Sequence, residues 1–203
     1  MKIFATIDIR KFEDEKFLSD ALANASDFRK KKYEAMNNHQ GKLQVIANTY
    51  LLNKCLDELN LNEKDMDYAI EKNGKLKFLN APDIHFNLSH SKNMSLAVVS
   101  DKPVGCDIQF VDKADEKLYD LVLSEEEKNL VVEGDILSSY VGASTASPDE
   151  RFYELWAMKE AIIKKDGTGL RDNLADVHDD NVYIEKRFLK SYEIVEEYIL
   201  AII

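Results

Sequence analysis

One feature most constrains how this chain folds: the same order of predicted strands and helices occurs twice. Alternating apolar residues predict a strand over residues 2–9. Helical patterning follows over 14–37 and, more strongly, over 41–59, and short apolar runs then predict strands over 84–88 and 95–100. The 203 residues are enough to bury a sizeable core, in one large domain or in two small ones.

The second part of the chain repeats this order. A strand is predicted over 104–110, a helix at about 150–165, and strands over 181–189 and 192–203, although the last segment could instead be a helix. Residues 133–150, rich in small and polar residues, are predicted to form a mobile loop. The turn and cap signals between these segments are Asn73-Gly74, Asp101-Lys102-Pro103, the capping box Ser124-Glu125-Glu126-Glu127, and Gly167 with Gly169.

These segments predict an α+β protein with two halves, residues 1–101 and 102–203. Thr6-Ile7-Asp8-Ile9 in the first half echoes Cys106-Asp107-Ile108 in the second. The echo is so short that chance explains it about as well as duplication does.

Charge and composition exclude several classes of protein. A net charge of −11 argues against nonspecific nucleic-acid binding, which needs a basic face. No apolar run approaches the ~18 residues that span a bilayer, and the N-terminal segment is too short for a signal peptide. The two cysteines, Cys55 and Cys106, lie among apolar residues and are predicted to be buried free thiols in a reducing cytosol. We therefore expect a cytoplasmic protein that does not enter a membrane.

The segment Trp156-Ala157-Met158-Lys159-Glu160-Ala161-Ile162-Ile163-Lys164 combines a core face with charged residues. On a helix its large apolar residues form one stripe, and Lys159 falls inside that stripe, where a charge is costly unless a negative group meets it. Glu160 and Lys164 are four apart and share a face along the flank of the stripe. Such a helix suits an anionic ligand and a metal, although an ordinary amphipathic helix with a Glu–Lys pair is the better explanation when the segment is taken alone.

Other segments agree with a known family in order and spacing. Gly105-Cys106-Asp107-Ile108-Gln109 precedes Trp156-x-x-Lys159-Glu160-x-x-x-Lys164 by roughly fifty residues. Together with three upstream motifs, this pattern resembles the 4′-phosphopantetheinyl transferases of the surfactin-synthetase type, from about residue 28 to 170. The upstream motifs are Arg29-Lys30-Lys31-Lys32-Tyr33, Gly74-Lys75 and Phe86-Asn87-Leu88-Ser89-His90-Ser91.

The resemblance implies two similar α+β halves related by pseudo-twofold symmetry, with the active site in the cleft between them. It also implies a Mg²⁺-dependent transfer of phosphopantetheine from coenzyme A to a serine hydroxyl of an apo acyl or peptidyl carrier protein, which releases adenosine 3′,5′-bisphosphate. Because such a cleft is complete within one chain, we expect a monomer. The alternative is a noncatalytic relative that binds coenzyme A or a carrier protein.

The resemblance also assigns roles in the metal and diphosphate site. Asp107 and Glu160 would hold Mg²⁺, whose preferred ligands are hard oxygens. Lys164 would neutralise the diphosphate in the transition state, and Lys159 would contact a phosphate or the incoming serine. The proton acceptor is Glu160, directly or through a metal-bound water, or else a metal-bound hydroxide held by Asp107.

For coenzyme A, the resemblance implies that His90 donates to a phosphate with Ser89 beside it, and that Lys31 and Lys75 address the 3′-phosphate. A histidine at a strand end with a backbone partner is the alternative for His90, and the sequence does not say which lysine of 30–32 faces inward. Two residues depart from the family pattern. Gln109 replaces a common Glu; its carbonyl oxygen can still bind Mg²⁺, or a water can take that place, but the ligand charge falls by one unit. Gln44-Val45 replaces an Arg followed by Ser or Thr.

Overall fold

The structure is a computed structural model that describes residues 1–133, 146–168, 174, 177, 179, 181–191 and 194–203. Eight strands and six α-helices lie within the described residues. The strands are β1 (Lys2–Asp8), β2 (Tyr68–Ile70), β3 (Leu76–Phe78), β4 (His85–Ser91), β5 (Met94–Ser100), β6 (Cys106–Phe110), β7 (Tyr183–Ser191) and β8 (Ile194–Ile202). The helices are α1 (Glu15–Ala23), α2 (Asp27–Glu34), α3 (His39–Asp57), α4 (Glu116–Val122), α5 (Glu125–Glu133) and α6 (Pro148–Asp166).

Two three-stranded antiparallel sheets share one connectivity. The first has the order β1-β5-β4 and the second the order β6-β8-β7, so the last strand of each set is central. A 19-residue helix precedes the closing hairpin in both, α3 in the first and α6 in the second. The remaining strands, β2 and β3, form a separate two-stranded ribbon.

Alternating apolar residues stack these elements into four layers. Ala97 and Val99 of β5 pack with α3, whereas Leu96 and Val98 face the second sheet. Strand β8 divides in the same way: Ile199 and Ala201 pack with α6, and Tyr198, Leu200 and Ile202 face the first sheet. The order of layers is therefore α3, first sheet, second sheet and α6, because successive side chains of a strand point to opposite faces.

Both ends of α6 follow known cap rules. Ser147 and Glu150 form a capping box at the start, with Pro148 as the first helical residue. Gly167 ends the helix in the left-handed region at φ 66°, which glycine adopts without strain. Local cap residues therefore set both ends of α6.

Most of the predicted elements are confirmed, with shifted ends. The helical region 14–37 is two helices, α1 and α2, and residues 194–202 form a strand. Helix α4 was not predicted. The capping box at Ser124 and Glu127 and the turn at Asn73-Gly74 are present. Most of the predicted mobile loop, and Gly169, lie outside the described residues.

Two expectations from composition can be compared with the structure. Cys55 and Cys106 are buried free thiols, as predicted. Among the described helices, none has the length and apolarity needed to cross a membrane.

Candidate active site

Side chains of β4 join the edge of the first sheet to the edge of the second. Alternate residues of the Asn87-Leu88-Ser89-His90-Ser91 segment present oxygen atoms to backbone N–H groups of β6, so the pairing keeps the two-residue period of a strand. Cys106, Ile108 and Phe110 donate to Asn87 Oδ1, Ser89 Oγ and Ser91 Oγ at 3.0, 3.3 and 3.0 Å. Part of this motif therefore builds the fold.

Asp107 is the buried acid at the centre of the site. Its neighbours Cys106 and Ile108 face the first sheet, so the alternation of β6 turns Asp107 toward α6. Asp107 is 1% exposed, and its Oδ1 accepts from Ser89 Oγ at 2.7 Å and from Lys164 Nζ at 2.5 Å. A buried carboxylate needs such donors to keep its charge.

Gln109 holds the other oxygen of the same carboxylate. Its Nε2 donates to Asp107 Oδ2 at 2.6 Å. A glutamate at this position would place a second negative charge beside Asp107, whereas the amide supplies a hydrogen bond. In this arrangement Gln109 supports Asp107, and its role as a metal ligand stays a prediction.

Glu160 and Lys164 share the flank of α6 that faces Asp107. Burial raises the pKa of Glu160, the negative charge of Asp107 raises it further, and Lys164 opposes the rise. Burial works against the charge of Lys164, but the carboxylate of Asp107 outweighs it and raises the pKa of the ammonium. The structure therefore brings together Asp107, Glu160 and Lys164, as the sequence predicts.

Gly105 allows α6 to come this close to β6. A Cβ atom at this position would lie 2.0 Å from the backbone oxygen of Ala161 and 2.5 Å from the backbone nitrogen of Lys165. Since both are backbone atoms, no side-chain rotation relieves the overlap. The glycine of the Gly105-Cys106-Asp107 motif thus sets the distance between the helix and the strand that carry the acidic residues.

A cavity of about 680 Å³ lies beside this cluster. Its basic lining residues come from α2, from the turn between β2 and β3 and from β4, and aromatic, aliphatic and amide side chains form much of the rest of its wall. Lys31, Lys32, Lys75 and His90 all line it. Lys31 and Lys32 of the basic run thus reach the cavity, whereas Lys30 is not among its lining residues.

The cations around this cavity disfavour one another's charge. Burial lowers the pKa of His90, and the charges of Lys164 and Lys32 lower it further. Burial also lowers the pKa of Lys32, with a contribution from Arg29. His90 therefore senses both the cavity cations and Lys164, so the cavity adjoins the acidic cluster. A bound anion would relieve this repulsion.

Arg29 lines the cavity but was not singled out from the sequence. It is 2% exposed, its Nε lies 4.0 Å from Glu63 Oε1, and its guanidinium lies over the Tyr68 ring at 5.1 Å. Its Nη2 has no hydrogen-bond partner among the described residues. The spacing of three between Arg29 and Lys32 in a basic helix is the signal that would have found it, because such residues share a face.

Ser89 and Lys75 have protein partners in place of a ligand. The Ser89 hydroxyl donates to Asp107 and accepts from Ile108 N and Lys164 Nζ, which uses its full bonding capacity. Lys75 Nζ lies 2.8 Å from the carbonyl oxygens of Lys164 and Lys165 and 3.3 Å from that of Val104. It thereby stabilises the carbonyl end of α6. Binding of coenzyme A by these two residues stays a prediction.

The position of Lys159 in the structure does not support its expected contact with a phosphate or the incoming serine. Lys159 is 0% exposed, and its Nζ donates to Glu127 Oε2 at 2.7 Å and to the carbonyl oxygens of Val122 and Leu174 at 2.9 and 3.0 Å. The negative group expected to meet a lysine in the apolar stripe is thus Glu127 of α5. Lys159 joins helices on the side of α6 away from Asp107.

Comparison with known proteins agrees with this geometry. Residues 103–202 match the family model of the 4′-phosphopantetheinyl transferase superfamily. The chain is 24% identical over 201 residues to the 4′-phosphopantetheinyl transferase ffp of Bacillus subtilis, covering 94% of this chain and 84% of the relative. It is 25% identical over 201 residues to the Sfp enzyme of B. subtilis strain 168, with the same coverage. A relative from Bacillus pumilus, psf-1, is 36% identical over 112 residues, which is 53% of this chain and 42% of that protein.

Residues 103–202 therefore belong to the 4′-phosphopantetheinyl transferase superfamily. Within it, the chain is similar over most of its length to the transferases of the surfactin-synthetase type from Bacillus.

Proposed function

We propose that this protein transfers 4′-phosphopantetheine from coenzyme A to a serine hydroxyl of an apo acyl or peptidyl carrier protein. The observation that carries the proposal is the meeting of Asp107, Glu160 and Lys164 beside a basic cavity that also contacts His90. In the transfer, the serine oxygen bonds to the phosphorus that carries pantetheine. The bond from this phosphorus to the oxygen of adenosine 3′,5′-bisphosphate breaks, and the serine loses its proton.

The acidic pair fits a magnesium ion. Mg²⁺ is usually held by one or two carboxylates together with phosphate and water. Asp107 and Glu160 approach closely enough for the charge of one to raise the pKa of the other, and a divalent cation would relieve this repulsion. Asp107 and Glu160 would hold the ion, with the amide oxygen of Gln109 as a further candidate. When bound, Mg²⁺ would neutralise charge on the diphosphate.

Glu160 is the residue that we propose accepts the serine proton. A carboxylate whose pKa is raised is a better base near neutral pH than an ordinary one. Burial is the first cause of that rise, ahead of the charge of Asp107. Asp107 is less suited, because Ser89, Lys164 and Gln109 already donate to its two oxygens.

Lys164 is the proposed electrostatic catalyst. Its Nζ contacts Asp107 and Ser89, and 30% of its side chain is exposed. A fixed cation at this point would stabilise the charge that develops on the departing bisphosphate.

The basic cavity is the proposed site for the nucleotide of coenzyme A. Arg29, Lys31 and Lys32 supply positive charge on one side, and His90 lies toward Lys164. In a chain with a net charge of −11, such a cluster requires a specific reason, which the phosphates of coenzyme A provide. Arg29 and Lys32 join Lys31 as candidates for the 3′-phosphate.

We also propose that the chain divides near residue 102 into two similar halves with the active site in the cleft between them. The shared strand order and the long helix in each half support this division. Since the acidic pair and the cavity belong to one chain, we propose a monomer, and two buried free thiols suit a cytoplasmic protein.

The direct test incubates the protein with coenzyme A, Mg²⁺ and a panel of apo carrier proteins, and measures each carrier's intact mass. We expect at least one carrier to gain the mass of one phosphopantetheine group. Glu160→Gln, which keeps the size of the side chain, is the matched control and should give no gain. The absence of any gain with the unmodified enzyme across the panel would favour a noncatalytic protein that binds coenzyme A or a carrier.

A further inference from the structure

Asn48 is a buried polar residue for which the proposed mechanism has no use. It lies in the middle of α3, is 8% exposed, and lines the same cavity as Lys31, Lys32 and His90. Its Oδ1 has no hydrogen-bond partner among the described residues. By contrast, the next residue, Thr49, donates its hydroxyl to the carbonyl oxygen of Val45 at 2.8 Å.

The folded protein alone gives no reason for an asparagine here. Asparagine is a weak helix former, and a buried carbonyl without a partner is destabilising. A small or apolar residue at this position of α3 would leave no oxygen unpaired. The oxygen itself is buried, so the amide would meet a partner from the cavity by turning about its terminal side-chain bond.

The rest of the cavity indicates what kind of partner this is. Phe28, Ile70 and Phe86 offer apolar and aromatic surface for a flat ring, and Lys31 and Lys32 offer positive charge for phosphate. A ring and phosphates together describe a nucleotide. An asparagine side chain can pair with the edge of adenine through two hydrogen bonds, with its oxygen accepting from the 6-amino group and its nitrogen donating to N7.

We propose that Asn48 selects adenine as the base of the bound nucleotide. This proposal rests on the proposed function, which places the nucleotide of coenzyme A in this cavity. Asn48 is then a specificity-determining residue, distant from the transfer itself. Guanine or hypoxanthine carries an oxygen in place of the 6-amino group, so neither base can form the same pair of hydrogen bonds.

The test uses binding, so that it does not depend on transfer. Isothermal titration measures the affinity of the protein for adenosine 3′,5′-bisphosphate and for inosine 3′,5′-bisphosphate, which differ only at the base edge. We expect the adenine nucleotide to bind about tenfold to a hundredfold more tightly, the range given by one bidentate pair. In Asn48→Leu this ratio should fall to about one.

Two further variants serve as controls. Thr49→Val changes the neighbouring residue, which does not line this cavity, and should keep the preference for adenine. Asn48→Ser, which is smaller, should also lose the preference and provides a second test if the leucine does not fit. The melting temperature of Asn48→Leu should be no lower than that of the unmodified protein, because an unpaired buried oxygen has been removed.

Equal affinity of the unmodified protein for the two nucleotides would overturn the proposal, as would an unchanged ratio in both Asn48 variants. If both nucleotides bound these variants more weakly by the same factor, so that the ratio of their affinities stayed the same, the amide would be assigned to another part of the ligand. Each result is independent of the carrier-mass assay, so failure of base selection and failure of transfer can be told apart.

Discussion

Lys159 and Lys164 lie on the same helix and each meets a carboxylate, yet their surroundings differ. Lys159 is enclosed by Glu127 and two carbonyl oxygens and is 0% exposed. Lys164 meets Asp107 and Ser89 with 30% of its side chain exposed. The first pair joins α5 to α6, and the second pair joins α6 to β6 beside β4.

One sequence motif therefore serves two purposes. Five residues along a helix correspond to about 500°, so the two lysines point roughly 140° apart around its axis. The segment from Lys159 to Lys164 therefore places one cation in the core and the other in the active site. Charge type alone does not separate the two roles, whereas the neighbouring elements do.

The largest effect that we expect is a loss of stability at the core lysine. Lys159→Met leaves Glu127 buried without its cation, so the free energy of unfolding should fall by about 3–5 kcal/mol. The transfer rate per folded molecule should change little. Urea unfolding and initial rates check the two parts. Replacing both partners, with Lys159→Met and Glu127→Leu together, should recover much of the stability. A Lys159→Met variant with normal stability but a low transfer rate would assign Lys159 to the chemistry instead.

The same substitution at the cleft should have the opposite profile. Lys164→Met should lower kcat by about 10²–10³, the range seen when one electrostatic stabiliser of a transition state is removed. Its effect on KM for coenzyme A should be smaller, since the charge is needed most in the transition state. Steady-state kinetics separates the two constants. A loss confined to KM would mean that Lys164 only holds the substrate.

The fold was largely predictable from sequence, because alternation and cap residues act locally. The strands, the two long helices and the capping box at Ser124 follow from such signals. The site was predictable at Asp107, Glu160 and Lys164, which lie on elements with clear periodicity. These residues could be placed because a strand and a helix each fix which side chains share a face.

The remaining parts depend on distant neighbours. The direction of Lys159 is set by Glu127 and by carbonyl groups 37 and 15 residues away. Lys75 meets the end of α6 some 90 residues later in the chain. The need for glycine at position 105 comes from the backbone of α6. No local pattern contains these contacts, so sequence reasoning could not supply them.

A smaller effect concerns His90 and pH. Its pKa is lowered in the free protein by burial and by nearby cations, and a bound phosphate should raise it. The complex then binds a proton that the free protein lacks. The affinity for coenzyme A should therefore rise as the pH falls toward and below the ordinary histidine pKa of 6.5. Titration calorimetry should show an increase of at most about tenfold per pH unit.

His90→Gln serves as the control for the titration of the ligand itself, whose phosphate also changes charge in this range. The variant should show a shallower pH dependence than the unmodified protein. The same slope in both proteins would remove His90 from the phosphate site.

The smallest expected effect is at Gln109. Gln109→Glu adds a negative oxygen beside Asp107, so the Mg²⁺ concentration giving half-maximal rate should fall by about fivefold, or roughly 1 kcal/mol. The rate at saturating metal should change little. Repulsion among three carboxylates should lower stability in the absence of metal. Superimposable Mg²⁺ titrations of the two proteins would show that residue 109 does not sense the ion.

The central claim is that Asp107 and Glu160 face each other across the cleft in order to share a cation. The melting temperature of the unmodified protein and of Glu160→Gln, each with and without Mg²⁺, tests it without any carrier protein. Without metal, we predict that the variant melts at a higher temperature than the unmodified protein, because one repelling carboxylate is gone. We also predict that Mg²⁺ raises the melting temperature of the unmodified protein appreciably and that of the variant little. A less stable variant, or equal stabilisation of both proteins by Mg²⁺, would contradict the claim.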